Sequence, residues 1–251
     1  RAYNLKNKSN WHIKDARKKV KNLDNFESYI QEILYRPFDT RYLFYHQSLI
    51  ERMRSRVMCH MLEENIGLTV SRQFKASKDW RHCLISNSII ESTFISNKTS
   101  EITYIFPLYI YPCKAKKDLF SQNQTEKEPN IPQSLFEKLS SCYGQTTTAE
   151  DILYYIYGVF YSSIYREKYA EFLKIDFPRV PFTADYALFR EVGKFGEEVA
   201  GLHLLKSSEL DPPVAKYQGS GDNDRIEKIA YKENEKRIYI NKDKYFEGIV
   251  P

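Results

Sequence analysis

The spacing of apolar positions changes several times along these 251 residues, and each change predicts an element. Residues 1–24 are polar and basic with little apolar periodicity, which suits a connector. Ile30 to Tyr35 and Tyr42 to Tyr45 read as extended segments around a Pro37-Phe38-Asp39-Thr40 turn. A Ser48-Leu49-Ile50-Glu51 capping box then opens a helix expected to reach about Glu64, stopped by Asn65 and Gly67. Leu49, Met53, Val57 and Met61 recur at every fourth position as its apolar stripe, beside a basic stripe of Arg52, Arg56 and His60. The basic stripe suits either phosphate contact or a solvated face.

From 67 to 112 the pattern becomes β-rich, with Leu68 to Phe74, Cys83 to Phe94 and Ile102 to Tyr111 as strands. Ile102 to Tyr111 is apolar on both alternating faces, which predicts a central strand, bent at Pro107. Lys114 to Pro132 has no periodicity and reads as a long loop. Thr148-Ala149-Glu150-Asp151 caps a further helix, with Leu153, Tyr157, Phe160, Tyr161 and Ile164 toward a core and Tyr154, Tyr155 and Tyr165 on its other faces. So many aromatics also suit base stacking. Helical spacing favours a core whose hydroxyls find partners at its rim.

Two prolines keep Phe177 to Phe182 extended, and Thr183 starts another helix, with Leu188, Val192, Phe195, Val199 and Leu202 on one face. Gly193 and Gly196 weaken that helix, so close approach of a neighbouring segment is the expected compensation. Ile226 to Tyr231 and Arg237 to Ile240 flank the polar Lys232 to Glu235 as a hairpin. The fold class on this reading is α+β.

Composition narrows the picture. With 42% hydrophobic residues the chain fits a soluble globular protein. Without a membrane-length apolar run or a signal-peptide pattern, a cytoplasmic location and no membrane partner are expected. Net charge is +5, yet residues 1–60 alone hold 13 Lys and Arg against 6 Asp and Glu, so the basic character is concentrated near the start. Such a face attracts phosphates without sequence preference, or is simply solvated. Cys59, Cys83, Cys113 and Cys142 are too scattered for a zinc ribbon or a disulfide framework and read as buried thiols. The Cys59-His60 and His82-Cys83 pairs invite a zinc site, but neighbouring strand residues point to opposite faces, so no metal is expected.

Asp176-Phe177-Pro178-Arg179-Val180-Pro181, the following helix ending Gly201-Leu202-His203-Leu204-Leu205, and the upstream Tyr35-Arg36-Pro37-Phe38-Asp39-Thr40-Arg41-Tyr42 form an ordered set. Between and after them come Asn65-Ile66-Gly67-Leu68 with Arg72, then Tyr245-Phe246-Glu247-Gly248-Ile249-Val250-Pro251. The set resembles the C-terminal target-recognition region of type ISP bacterial restriction-modification enzymes. The resemblance implies reading of double-stranded DNA for an adenine-N6 methyltransferase that precedes this region in the same polypeptide. Neither the S-adenosylmethionine loop nor the Asn-Pro-Pro-Tyr catalytic motif of that methyltransferase occurs here. Asp211-Pro212-Pro213-Val214 has the prolines alone. S-adenosylmethionine is therefore implied for the parent enzyme only, and this chain is expected to hold no cofactor and no catalytic residue. Starting without Met, it reads as a piece of a longer protein. The expected division is a connector and hairpin over 1–47, a β-rich recognition part with one helix over 48–145, and a helical supporting part with a C-terminal hairpin over 146–251.

A recognition module must hold phosphates and present amides or guanidinium groups to base edges. Arg72, Gln73, Lys75, Lys78, Trp80 and Arg81 concentrate such groups at a strand end and its loop, and Asn87, Ser88 and Ser92 follow on the next strand. Arg36 and Arg41 suit phosphate contact or hairpin pairing with Asp39 or Glu32, and Arg52 and Arg56 suit phosphates. Arg179, pinned between prolines, fits a structural or a base-reading role, and His203 beside leucines fits an interior hydrogen-bonded histidine. The alternative from another class is a protein-interaction scaffold that packs on the methyltransferase or a partner without reading bases. A stand-alone hydrolase lacks any Gly-x-Ser-x-Gly, His-Glu-x-x-His or P-loop pattern.

Overall fold

In the computed structural model, which describes residues 7, 11–50, 52–73, 80–96, 101–112 and 126–250, the stretch expected as a connector contains a helix, α1 (Ile13–Lys21). Asp15 lies in its first turn and Lys18, Lys19 and Lys21 in its last, a charge order that favours the helix dipole. Just before it, Trp11 Nε1 donates to Ser48 O at 2.8 Å. The hairpin forms, with β1 (Ile30–Arg36) antiparallel to β2 (Asp39–Phe44), but its turn is Pro37-Phe38 alone, since Asp39 and Thr40, expected in the turn, are paired in β2; Phe38 takes a positive φ of 63°.

The expected helix over 48–64 shrinks to one turn, α2 (Ser55–Met58), continued by a 3-10 turn, Cys59–Met61. Arg54 at φ 52° is left-handed, which no helix interior tolerates. The i+4 stripe therefore does not form: Met61 is buried but Leu49 and Val57 are exposed. Ser48 contacts His46 Nδ1 at 2.7 Å instead of capping a helix, and Glu51 lies outside the described residues.

β3 (Gly67–Ser71), β4 (Cys83–Ser86) and β6 (Thr103–Pro107) form an antiparallel sheet in the order β4-β3-β6, and the short β5 (Ile89–Ile90) pairs parallel to β1. The central strand is β3, buried at every position. β6, expected there, is an edge. Its two apolar faces arise because Ile105 enters one core with Met61, Ile89 and Phe94, whereas Tyr104 and Phe106 turn to the opposite side and meet Phe177. The strand ends at Pro107, and β7 (Tyr109–Ile110) pairs with β8 (Glu128–Pro129) inside what was expected to be loop. Residues 113–125 of that loop lie outside the described ones.

The remaining helices are α3 (Gln133–Tyr143), α4 (Ala149–Tyr161), α5 (Ser163–Lys168), α6 (Ala170–Ile175) and α7 (Tyr186–His203). Thr148 and Asp151 make the expected reciprocal cap of α4. Helix α4 shares one core with the β3 sheet, including Leu68, Val70, Cys83, Ile85, Leu153, Tyr157 and Phe160, so the strands before residue 146 and the helices after it are packed together. Ile164, expected in that core, is on α5 and exposed. The α4 to α7 contact is made at glycines. A Cβ on Gly196 would lie 1.8 Å from Tyr154 O, and one on Gly158 2.3 Å from Val192 O. The buried face of α7 consequently centres on Phe189, Gly196 and Ala200, one position round from the expected face, and Leu188, Phe195 and Leu202 are exposed.

The chain forms two compact units, 1–204 and 205–251. The second is a four-stranded antiparallel sheet in the order β10-β11-β12-β9, built from β9 (Lys216–Gly219), β10 (Ala230–Lys232), β11 (Arg237–Tyr239) and β12 (Lys244–Glu247). Its β10–β11 hairpin is the one read from sequence. Asn241 organises the turn before β12 by donating to Asn223 O and Arg225 O and accepting from the amides of Asp243 and Lys244.

Gly196→Ala is expected to destabilise the first unit by about 1–3 kcal/mol through overpacking. Gly193→Ala, whose methyl would come no nearer than 3.9 Å to the facing helix α4, should instead stabilise it by up to about 1 kcal/mol through helix propensity. Urea denaturation of both variants checks the pair, and equal effects would contradict this account of the helix contact.

Candidate nucleic-acid interface

Residues 177–183 make no ladder hydrogen bonds, so their backbone is held by side chains. Tyr143 OH donates to Thr183 O at 2.7 Å, Tyr155 OH to Pro181 O at 2.8 Å, and Tyr165 OH to Arg179 O at 2.7 Å. The Tyr155 and Tyr165 contacts are the rim hydroxyls expected of an aromatic helix core, and Tyr143 adds a third from α3. Their effect is to fix the Asp-Phe-Pro-Arg block against the sheet, with the Arg179 backbone held and its side chain exposed.

The block meets the end of β3 across a sequence separation of more than a hundred residues. Arg72 Nε donates to Asp176 Oδ1 at 2.8 Å, and Gln73 Nε2 to Ile175 O at 3.3 Å. The Phe177 ring lies edge-on to Tyr104 (5.0 Å) and Phe106 (5.7 Å), with the Arg72 guanidinium 5.9 Å from its centre. The Phe177 amide, then Arg72 and Arg179, hold the Asp176 carboxyl below its ordinary range. One exposed rim thus carries two guanidinium groups, an amide and an aromatic ledge. Ser71 N donates to His82 O at 3.2 Å, so the exposed Arg81 leaves the same end of the hairpin as Arg72.

The other expected site residues divide. Lys75 and Lys78 lie outside the described residues. Trp80 is 3% exposed and packs edge-on against Phe160 at 5.6 Å, so its indole belongs to the core and is not presented to a ligand, a correction that follows from its large apolar area. Asn87 and Ser88 sit in the β4–β5 turn, where Ser86 Oγ and the Ser88 backbone bond to each other. That turn is at the far end of the β3–β4 ladder, roughly 20 Å from Arg72 at a strand's rise per residue. Ser92 donates to Glu91 at 2.8 Å.

Arg36 and Arg41 took the pairing role. Arg41 Nη2 donates to Asp39 Oδ2 at 2.7 Å, and its guanidinium lies 3.8 Å from the Tyr35 ring centre. Arg36 reaches Glu91 at 2.6 Å, a partner contributed by β1–β5 pairing and invisible in the local sequence. Arg52 and Arg56 are exposed but share no helical face. Among the described cysteines, Cys83 is buried, Cys142 is exposed and Cys59 is disulfide-bonded, so of these three the expectation of buried thiols holds for Cys83 alone; Cys113 lies outside the described residues. His203, half-buried, shares a 2.7 Å hydrogen bond with Tyr157, and burial lowers its pKa. Among the described residues no helix is long and apolar enough to cross a membrane.

Asp176 and Phe177 were legible as a motif but not as a site, because their partners Arg72, Tyr104 and Phe106 are remote in sequence. An α+β unit that presents arginines and an amide at one sheet end has groups able to bond phosphates and base edges. The chain belongs to the family described as the type ISP C-terminal specificity domain, which it matches over residues 2–251. Its fold is similar to part of the ATP-dependent type ISP restriction-modification enzyme LlaBIII bound to DNA, with a TM-score of 0.67 and 22% identity, covering 96% of this chain and 15% of that one. It is similar to a nuclease-deletion mutant of the type ISP enzyme LlaGI in complex with a DNA substrate mimic (TM-score 0.63, 22% identity, 91% of this chain and 19% of that one). A DrdV–DNA complex gives a TM-score of 0.68 at 22% identity, covering 94% of this chain and 23% of that one. This chain therefore spans less than a quarter of the length of these enzymes. No curated protein matches it.

Burial pushes the Glu91 carboxyl up, but hydrogen bonds from Thr93, Ser92 and Arg36 outweigh it and hold the group at about 2. A carboxyl depressed in the folded state contributes stability that is fully present above its ordinary 4.5 and is lost as pH falls to about 2. Glu91→Gln should therefore lower the melting temperature at neutral pH, with the gap to the unmodified chain closing as pH falls through that window. A gap independent of pH would show that the charge of Glu91 is not what stabilises the hairpin.

Proposed function

We propose that this chain reads a DNA target sequence for a restriction-modification enzyme. The observation that carries the reading is the meeting of Arg72 and Gln73 with Asp176, Phe177 and Arg179 on one exposed rim, in a chain of the specificity-domain family. Arginine matches guanine O6 and N7, and glutamine matches adenine N6 and N7, in the major groove. Arg81, Arg52 and Arg56 are suited to phosphates, which hold register without reading sequence, and Lys75 and Lys78 would extend that role. Asn87 and Ser88 would serve as second-rank base contacts. The DNA-bound state of the structures with similar folds supports the same reading.

In the longer polypeptide a preceding methyltransferase domain would use S-adenosylmethionine to methylate adenine N6 after flipping the base from the stack. The exposed Asp211-Pro212-Pro213-Val214 segment lacks the asparagine and the aromatic ring that such chemistry needs, so no catalytic step is assigned to these residues. A second reading applies to a groove that borders the rim and shares Asp176, Phe177 and Arg179 with it. A groove of about 560 Å³ is lined by Tyr169, Phe172, Ile175 and Pro178, and the exposure of Phe172 and Ile175 favours packing of that methyltransferase domain there.

Selection of the chain against randomised duplex DNA at two salt concentrations is expected to enrich one asymmetric motif, with affinity falling steeply as salt rises. Arg72→Ala should relax the preference at one base pair, at a cost of about 1–3 kcal/mol. Salt-dependent binding without a motif would remove the recognition role, and salt-insensitive capture of the methyltransferase domain alone would leave only the scaffold.

A further inference from the structure

From the geometry around Arg72 we infer that Asp176 is a specificity-determining positioning residue: it fixes the Arg72 guanidinium so that its two terminal nitrogens face a guanine edge. The inference rests on the DNA-reading role proposed above. Three features carry it. The carboxylate accepts a hydrogen bond from Arg72 Nε at 2.8 Å, and the same oxygen accepts one from the Phe177 amide at 2.9 Å, so the anion is itself held by backbone. Gln73 Nε2 contacts Ile175 O, which secures the next residue of the strand end to the same block. The Phe177 ring, wedged against Tyr104 and Phe106, lies beneath the guanidinium.

Stability does not explain the pair. Both side chains are more than half exposed, at 56% and 58%, and an ion pair so placed adds next to nothing to folding. What the contact does accomplish is orientation. A free arginine on a surface samples many rotamers, and ordering it on binding costs affinity and blurs the choice of base. Once Nε is committed to Asp176, the fork formed by Nη1 and Nη2 is left for the paired acceptors O6 and N7 of guanine. A carboxylate close to a DNA surface also repels phosphates, so its presence beside Arg72 and Arg179 is unfavourable for general attraction and favourable only for selectivity.

The test measures binding of the full chain, unmodified and carrying Asp176→Asn, Arg72→Ala, Arg72→Lys or the Asp176→Asn/Arg72→Ala pair, to the selected site and to its single-base-pair variants. Asp176→Asn is expected to keep the melting temperature, to bind unrelated DNA as tightly or more tightly, and to lose about fivefold or more of the preference for guanine at one base pair. Arg72→Ala and Arg72→Lys should lose preference at that same base pair, and the double substitution should add nothing, since the two side chains act as one unit. If Asp176→Asn strengthens binding to every sequence while the preference stays intact, Asp176 is only a neighbouring charge and the inference falls, with the Arg72 reading untouched. If Arg72→Ala itself weakens all sequences alike, the base-reading role of Arg72 falls as well.

Discussion

Backbone contact between α4 and α7 is the constraint on which the first unit depends. Gly158 and Gly196 remove the side chains that would hold the two helices apart, and carbonyl oxygens of each helix fill the space that a Cβ would need. At these glycines the helices leave no room for side chains between them, so the large aromatics of α4 are directed to either side of the crossing. Tyr161 OH reaches Cys83 O on the sheet, and Tyr157 OH reaches His203 at the end of α7. Tyr155, stacked on Phe182 and Phe189, sends its hydroxyl to Pro181 O. The cost in helix propensity at two glycines is offset by the burial of those rings.

From this contact the route to the rim is short. The extended segment 177–183 has no strand partner and needs tyrosine hydroxyls from α3, α4 and α5 to satisfy its carbonyls. Its prolines remove two amide donors that would otherwise require partners. Held in this way, the segment presses Phe177 onto the outer face of β6 and delivers Asp176 to Arg72. The backbone of this segment is therefore tied to the core that stands behind it. Precise placement of a guanidinium is what separates base reading from general attraction to phosphate.

Much of this was legible from the residues. The β1–β2 hairpin, the Thr148 cap, the extended Phe177–Phe182 segment and the β10–β11 hairpin all depend on neighbours close in sequence: turn residues, a capping pair, consecutive prolines. Close approach at Gly196 was legible too, as a helix-weakening residue that needed compensation. Where the reading failed, a remote partner decided. Val57 and Leu49 have helical spacing, yet Arg54 adopts a left-handed conformation and the stripe never forms. The two apolar faces of β6 resembled a central strand, because nothing local distinguishes burial between two sheets from rings that stay exposed beside the remote Phe177. Trp80 looked like a groove residue beside Arg81, but Phe160, eighty residues on, draws it into the core.

The sequence by itself determined the family, the α+β class and the set of arginines, amides and hydroxyls that are candidates for a recognition surface, since each of these is carried by residue type and short-range spacing. Only the tertiary structure decided which of those residues share a surface. It separated Asn87 and Ser88 from Arg72 by the length of a strand, turned Arg36 to Glu91, buried Trp80 and joined Arg72 to Asp176. Residue type sets what a side chain is able to bond, but which partner it meets depends on chain segments brought together by packing, and that information is distributed over the whole core.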